Sequence, residues 1–115
     1  MQRLRVRPGG ALRGTVRVPG DKSISHRAVM LASLAEGVSR ISGFLNAADC
    51  LCTAHALAAM GVPISGLPTT DLQVAGVGLG GLQRPQGLLD LGNSGTGLRL
   101  LLGVLAGQEF PATLV

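Results

Sequence analysis

Hydrophobic and polar residues recur with two different periods along the chain, and each period predicts one type of element. Residues 2–7 and 12–18 alternate at every second position around the segment Pro8 to Ala11, a pattern that predicts a short hairpin. From Ser23 the apolar positions recur at helical spacing until Gly37. The amino-terminal third therefore predicts a hairpin followed by a helix.

Helical and strand patterns continue to alternate after Gly37. The pattern predicts a strand over 38–45, a helix over about 48–60, short strands near 62–65 and 72–77, a helix from the loop at 92–97 to about 106, and a strand over 111–115. This order predicts the α/β or α+β class. Because natural domains avoid an exposed apolar edge strand, we expect the 115 residues to be the front part of a longer protein.

The composition favours a folded chain and excludes several classes of partner. Hydrophobic residues make up 46% of the chain and charged residues 14%, so there is enough apolar surface for a core. Seven of the ten basic residues lie in the first 27 positions, but aromatic residues are only 2%, which argues against a stacking surface for nucleic acid. Glycine and proline interrupt the uncharged stretch at 50–70, so neither a membrane-spanning helix nor a membrane partner is predicted.

Other local patterns predict no separate chemistry. The start of the chain lacks the apolar run of a signal peptide, so a cytoplasmic location is predicted. Cys50 and Cys52 point to nearly opposite faces of a helix, which favours core thiols in a reducing compartment over a disulfide or a metal pair. His26 and His55 are interpreted as surface or core histidines rather than members of a catalytic triad.

The glycines at 76, 78 and 81 have the spacing of a dinucleotide-binding fingerprint. That fingerprint needs a helix to begin at once, and Pro85 prevents this, so residues 76–81 are predicted to form a loop.

Two predicted helix N-termini carry the patterns that point to a ligand. At the first, the only lysine of the chain, Lys22, follows a Pro-Gly turn, and Ser23 and Arg27 lie four residues apart on one helical face. Asp21 is the only acidic residue expected inside either cationic cluster. The alternative for this segment is a capped helix with exposed charge.

The second N-terminus lies in the sequence GNSGTG, whose small residues let backbone amides approach an anion closely. The side chains of Asn93, Ser94 and Thr96 are candidate donors, and Arg99 follows one turn later. The alternative is a flexible loop. The two N-termini together predict a ligand with more than one anionic group.

The stretches PGDKSISHRA and LDLGNSGTGLRLLLGVLAG resemble the amino-terminal part of the 5-enolpyruvylshikimate-3-phosphate synthase family. The resemblance implies a two-domain inverse α/β barrel built from βαβαββ units. In that scheme residues 1–20 are a hairpin of the domain that the C-terminal part completes, and residues 21–115 begin the other domain. The UDP-N-acetylglucosamine enolpyruvyl transferases are the alternative family, although they lack this Lys-Ser pair followed by Ser-His-Arg.

The resemblance also implies an activity, the transfer of the enolpyruvyl group of phosphoenolpyruvate to the 5-hydroxyl of shikimate 3-phosphate, with release of phosphate. It implies that neither a metal nor another cofactor takes part. The C-terminal remainder of the enzyme, in cis or in trans, is the expected partner, and the segment alone is expected to be inactive. An isolated anion-binding module and a basic nucleic-acid binder remain as alternative classes.

Site residues follow from the same resemblance. It implies that Lys22, a catalytic residue, binds shikimate 3-phosphate together with Ser23 and Arg27. Phosphoenolpyruvate is implied to lie against Lys22, Asn93, Gly95 and Thr96. Sensitivity to the inhibitor glyphosate is implied to depend on Gly95, Thr96 and Leu100, the last of which stands where many members carry proline.

Overall fold

The computed structural model describes residues 2–115, and this part of the chain forms three helices beside a small antiparallel sheet. The elements in order are α1 (Lys22–Leu34), β1 (Glu36–Ser42), α2 (Ala48–Ala59), β2 (Ile64–Ser65), β3 (Asp71–Val77) and α3 (Gly95–Ala106). Each corresponds to an element predicted from the periodicity, and the mixed helix and strand class is confirmed. Within residues 2–115 no helix is both long and apolar enough to cross a bilayer.

The sheet has the strand order β1-β3-β2, so that β3 lies in the middle. Val38 pairs with Ala75 across β1 and β3, and Ile64 pairs with Val74 across β2 and β3. Alternation along β3 buries Leu72 and Val74 completely, while Asp71 and Gln73 stay exposed. One face of the sheet therefore forms the floor of the core.

Helix α1 covers that floor by packing on β1 and β3, and α2 packs against both α1 and α3. Gly76 in β3 permits the close approach of α1, because a Cβ there would lie 2.1 Å from the carbonyl oxygen of Ala35. The largest fully buried apolar side chains are Phe44, Leu57, Met60, Leu72, Leu89, Leu91 and Leu101. This packing brings the N-termini of all three helices close to one another.

The predicted amino-terminal hairpin is not formed, because residues 2–20 contain no strand. Leu4 and Leu12 are 91% and 100% exposed, so the apolar side of the pattern packs against nothing among the described residues. An isolated two-stranded hairpin is at best marginally stable in water, which gives the physical reason. The assignment of residues 1–20 to a second domain stays a prediction.

Two other segments differ from their predicted form. The strand predicted near 72–77 is observed as β3, which takes in the first two residues of the loop predicted over 76–81. A turn closed by the bond from the N–H of Gly81 to the carbonyl of Gly78 follows β3. No helix begins there, which agrees with the rejection of the dinucleotide fingerprint. The predicted last strand is reduced to one parallel bridge between Leu89 and Leu114.

Candidate functional site

The N-terminus of α1 is fixed by local hydrogen bonds. Asp21 is the N-cap residue, and its carboxylate accepts a 2.8 Å bond from the N–H of Ile24. The hydroxyl of Ser25 donates to the carbonyl of Asp21 at 2.7 Å and accepts from the N–H of Leu45 at 2.9 Å. Within residues 2–115 nothing accepts from the N–H groups of the first two residues of α1. These N–H groups are therefore available to an anion.

The side chains of Lys22, Ser23 and Arg27 are exposed at this end of α1. Lys22 forms an ion pair with Asp49 in the first turn of α2. Its hydrogen bond to that carboxylate, with the accompanying charge attraction, raises the pKa of Lys22. The lysine is thus a protonated cation at neutral pH.

The expectation that Asp21 is the only acid near the cationic cluster is wrong, because Asp49 contacts Lys22. The two residues are far apart in the sequence, and only the packing of α1 against α2 brings them together.

The N-terminus of α3 is built around Ser94. This residue is the N-cap, and its hydroxyl accepts a 3.0 Å bond from the N–H of Gly97. The N–H of Gly95 donates to the carbonyl of Asn93 at 3.1 Å, and the N–H of Thr96 has no acceptor within the described chain. The side chain of Ser94, predicted as a donor to an anion, is instead buried and committed to the helix cap.

Around Ser94 the predicted ligand-binding residues Asn93, Gly95 and Thr96 are exposed. A Cβ built on Gly95 would have Arg99 Nη1 as its nearest neighbour, at 3.8 Å, so this side of the helix is open. Leu100 is half-buried and packs against the core in the second turn of α3.

A buried histidine joins the two N-termini. His26 in α1 is completely buried, with Nδ1 2.8 Å from Thr53 Oγ1 in α2 and Nε2 3.5 Å from Ser94 Oγ. Burial lowers the pKa of His26, which favours the neutral imidazole. Of the two positions predicted for His26, surface or core, the structure shows the core. Its contact with Ser94, 68 residues away, is a feature that local sequence patterns did not reveal.

Other predicted groups are placed as follows. Cys50 is buried, Cys52 is partly buried, and both are free thiols, as expected. Burial raises the pKa of Cys50. His55 is exposed on α2.

A cavity of about 780 Å³ does not coincide with the predicted site residues. It is lined by residues 17–20 and 42–46 with Thr70 and Asp71. A smaller cavity of about 240 Å³ borders Asn93 and Gly95 but not Lys22. The two N-termini therefore form an open face rather than an enclosed pocket.

Two exposed helix N-termini, joined through a buried histidine, form one open face of this α/β protein. Comparison with known proteins identifies its family. The family model for EPSP synthase (3-phosphoshikimate 1-carboxyvinyltransferase) matches residues 6–115, and the chain belongs to this family.

Relatives and solved structures agree with this assignment. The 3-phosphoshikimate 1-carboxyvinyltransferase of Alkalilimnicola ehrlichii is 65% identical over 109 residues, which are 95% of this chain and 24% of that protein. The enzyme of the same name from Methylococcus capsulatus is 63% identical over 107 residues, 93% of this chain and 24% of its own length.

A solved structure of EPSP synthase from Acinetobacter baumannii superposes with a TM-score of 0.83 at 44% identity, covering 89% of this chain and 23% of that one. The chain thus spans about a quarter of the length of the relatives that it matches.

Proposed function

We propose that this chain supplies the phosphate-binding segment of a 3-phosphoshikimate 1-carboxyvinyltransferase, with the remainder of the enzyme supplied in cis or in trans. The observation that supports this most is the pair of capped helix N-termini, joined through a buried histidine, within the residues 6–115 that the family model matches. In the proposed reaction the 5-hydroxyl oxygen of shikimate 3-phosphate forms a bond to the enol carbon of phosphoenolpyruvate. The hydroxyl proton is lost, and the methylene carbon of phosphoenolpyruvate gains a proton. A proton from that carbon and inorganic phosphate then leave, which regenerates the enol double bond.

The N-terminus of α1 is proposed to bind shikimate 3-phosphate. Its unused N–H groups and the partial positive charge of the helix end favour a phosphate. The hydroxyl of Ser23 adds a donor, and the guanidinium of Arg27 can bind two phosphate oxygens at once. Both side chains are exposed, so no rearrangement of the core is needed to admit the ligand.

The N-terminal loop of α3 is proposed to bind phosphoenolpyruvate. Asn93 offers a side-chain amide and Thr96 a hydroxyl and an unused N–H, while Gly95 leaves space for the ligand against the backbone. Lys22 is proposed to reach both substrates and to assist proton transfer as a catalytic residue. A substrate anion would then compete with Asp49 for the ammonium group of Lys22.

The same loop is proposed to determine the response to glyphosate, through Gly95, Thr96 and Leu100. In an α-helix the N–H of residue 100 donates to the carbonyl of residue 96, and proline would remove that donor. Leucine at this position therefore alters the first turn relative to family members with proline. A cytoplasmic location is also proposed, because the two free thiols suit a reducing compartment.

A chimeric enzyme tests the proposed function. In it this chain replaces the matching segment of the Alkalilimnicola ehrlichii relative, and phosphate release is measured with shikimate 3-phosphate and phosphoenolpyruvate. We expect activity from the chimera and none from the 115-residue chain alone. Lys22→Met should abolish most of the activity, whereas Arg5→Met, at an exposed position, should leave it unchanged.

Three outcomes would contradict the proposal. An inactive chimera would argue against the function. Equal losses from Lys22→Met and Arg5→Met would show that the site has been misplaced. Phosphate release by the purified chain, with contaminating enzyme excluded, would show that no remainder is needed. Binding of shikimate 3-phosphate by the chain combined with an inactive chimera would favour the alternative, an isolated anion-binding module.

A further inference from the structure

We infer that His26 is a positioning residue. It fixes the N-terminal loop of α3, which is proposed to bind phosphoenolpyruvate, relative to the N-terminus of α1, which is proposed to bind shikimate 3-phosphate. It touches neither substrate. The inference rests on the proposed function, because it assigns one substrate to each helix end. Its structural basis is independent of that assignment. His26 is completely buried, and its two ring nitrogens face side chains from two other helices.

Each ring nitrogen of a neutral His26 has one hydroxyl partner, whichever nitrogen carries the proton. With the proton on Nδ1, the ring donates to Thr53 Oγ1, and Nε2 accepts from the hydroxyl of Ser94. With the proton on Nε2, the ring donates to Ser94 Oγ, and Nδ1 accepts from the hydroxyl of Thr53. A neutral imidazole therefore uses both ends of the ring in either tautomer.

Packing at Gly97 is a second observation that supports the link. A Cβ there would lie 2.6 Å from Thr53 Oγ1, 2.8 Å from Ser94 Oγ and 3.4 Å from His26 Cε1. The three side chains thus fill the space beside the backbone of α3 at Gly97. The position of the α3 N-terminus is set by this cluster of His26, Thr53 and Ser94, which we term the histidine bridge.

The histidine bridge predicts an asymmetric kinetic effect. Ser23 and Arg27 belong to the same helix as His26, so their positions do not depend on the bridge. The loop of Asn93, Gly95 and Thr96 reaches α1 through Ser94. Loss of the bridge should therefore raise the KM for phosphoenolpyruvate more than the KM for shikimate 3-phosphate.

Steady-state kinetics of the chimeric enzyme test this effect. In His26→Asn the amide replaces Nδ1 and keeps only the contact with Thr53, whereas in His26→Gln it reaches toward Ser94. We expect His26→Asn to raise the KM for phosphoenolpyruvate by about fivefold or more, which corresponds to one lost hydrogen bond, and His26→Gln to stay closer to wild type. Thr53→Val should give an intermediate increase. Ser33→Ala is the matched control, because the buried Ser33 hydroxyl bonds only to Val29 in the same helix.

The inference would be overturned if His26→Asn and Ser33→Ala changed the two KM values alike, or if His26→Asn left the KM for phosphoenolpyruvate unchanged. An inactive wild-type chimera would refute the proposed function instead. Nitrogen-15 NMR of the 115-residue chain would then test the histidine bridge.

We expect the NMR spectrum to show a neutral His26 ring at pH 7, with the exposed His55 as the reference signal. We also expect His26→Gln and Thr53→Val to shift the amide signals of residues 92–97. A His26 ring protonated at both nitrogens at pH 7, or unshifted amides in both folded variants, would overturn the inference.

Discussion

Adding one methyl group at Gly97 tests the packing at the candidate site more sharply than removing a side chain. In Gly97→Ala the new Cβ would lie 2.6 Å from Thr53 Oγ1 and 2.8 Å from Ser94 Oγ, well inside van der Waals contact. Both oxygens belong to short, buried side chains held by hydrogen bonds, Thr53 to His26 and Ser94 to the N–H of Gly97. Overpacking of this kind costs about 1 to 3 kcal/mol, and displacement of the Ser94 cap adds about 1 kcal/mol. Because alanine has a higher helix propensity than glycine, it offsets up to about 1 kcal/mol of this cost.

The net expectation is that Gly97→Ala lowers the free energy of unfolding by about 1 to 3 kcal/mol. Gly103→Ala is the matched control in the same helix, because nothing lies within 4 Å of its new Cβ. That variant should be more stable than wild type by about 0.5 to 1 kcal/mol. Thermal unfolding followed by circular dichroism should separate the two by roughly 5 to 20 °C. Equal melting temperatures would refute the packing of the three side chains on Gly97.

Four further expectations concern affinity, inhibition and pH. Asp49→Asn removes the carboxylate that pairs with Lys22, so calorimetric titration should show tighter binding of inorganic phosphate. Weaker binding would contradict the proposal that an anion competes with Asp49 for Lys22. Gly95→Ala should not destabilise the chain, because the nearest atom to its new methyl lies 3.8 Å away. In the chimera it should raise the KM for phosphoenolpyruvate, and an unchanged KM would place that substrate elsewhere. Leu100→Pro should make the chimera more sensitive to glyphosate at matched substrate kinetics, and equal inhibition constants would exclude a role for this position. Burial lowers the pKa of His26 below 6.5, so the unfolded chain binds this proton at higher pH than the folded chain. Stability should be full above pH 6.5 and decline below it, and urea unfolding of His26→Gln should lack this contribution.

Elements defined by local patterns could be predicted from the sequence. The helix predicted to run from about residue 48 to 60 is observed as Ala48–Ala59, because an apolar stripe and a following glycine act over a few residues. The amino-terminal hairpin could not be predicted in this way, because strand alternation needs a surface to pack against. Leu4 and Leu12 find none among residues 2–115.

The candidate site was predictable only in part, for the same reason. Asp21 could be assigned to the first cationic cluster because it adjoins Lys22, but Asp49 reaches the cluster only through the packing of two helices. The role of Ser94 had a local signal, since a serine immediately before a helix is a common N-cap. The link from His26 to Ser94 had none, because it depends on three helices meeting at their N-termini.

The most direct measurement is a crystal structure of the chimeric enzyme with shikimate 3-phosphate and phosphoenolpyruvate bound. The account predicts that the phosphate of shikimate 3-phosphate lies at the N-terminus of α1 against Ser23 and Arg27. Phosphoenolpyruvate should lie on the N-terminal loop of α3, with the ammonium of Lys22 between the two ligands. Electron density for either ligand away from these two helix ends would contradict the central claim that they form one binding face.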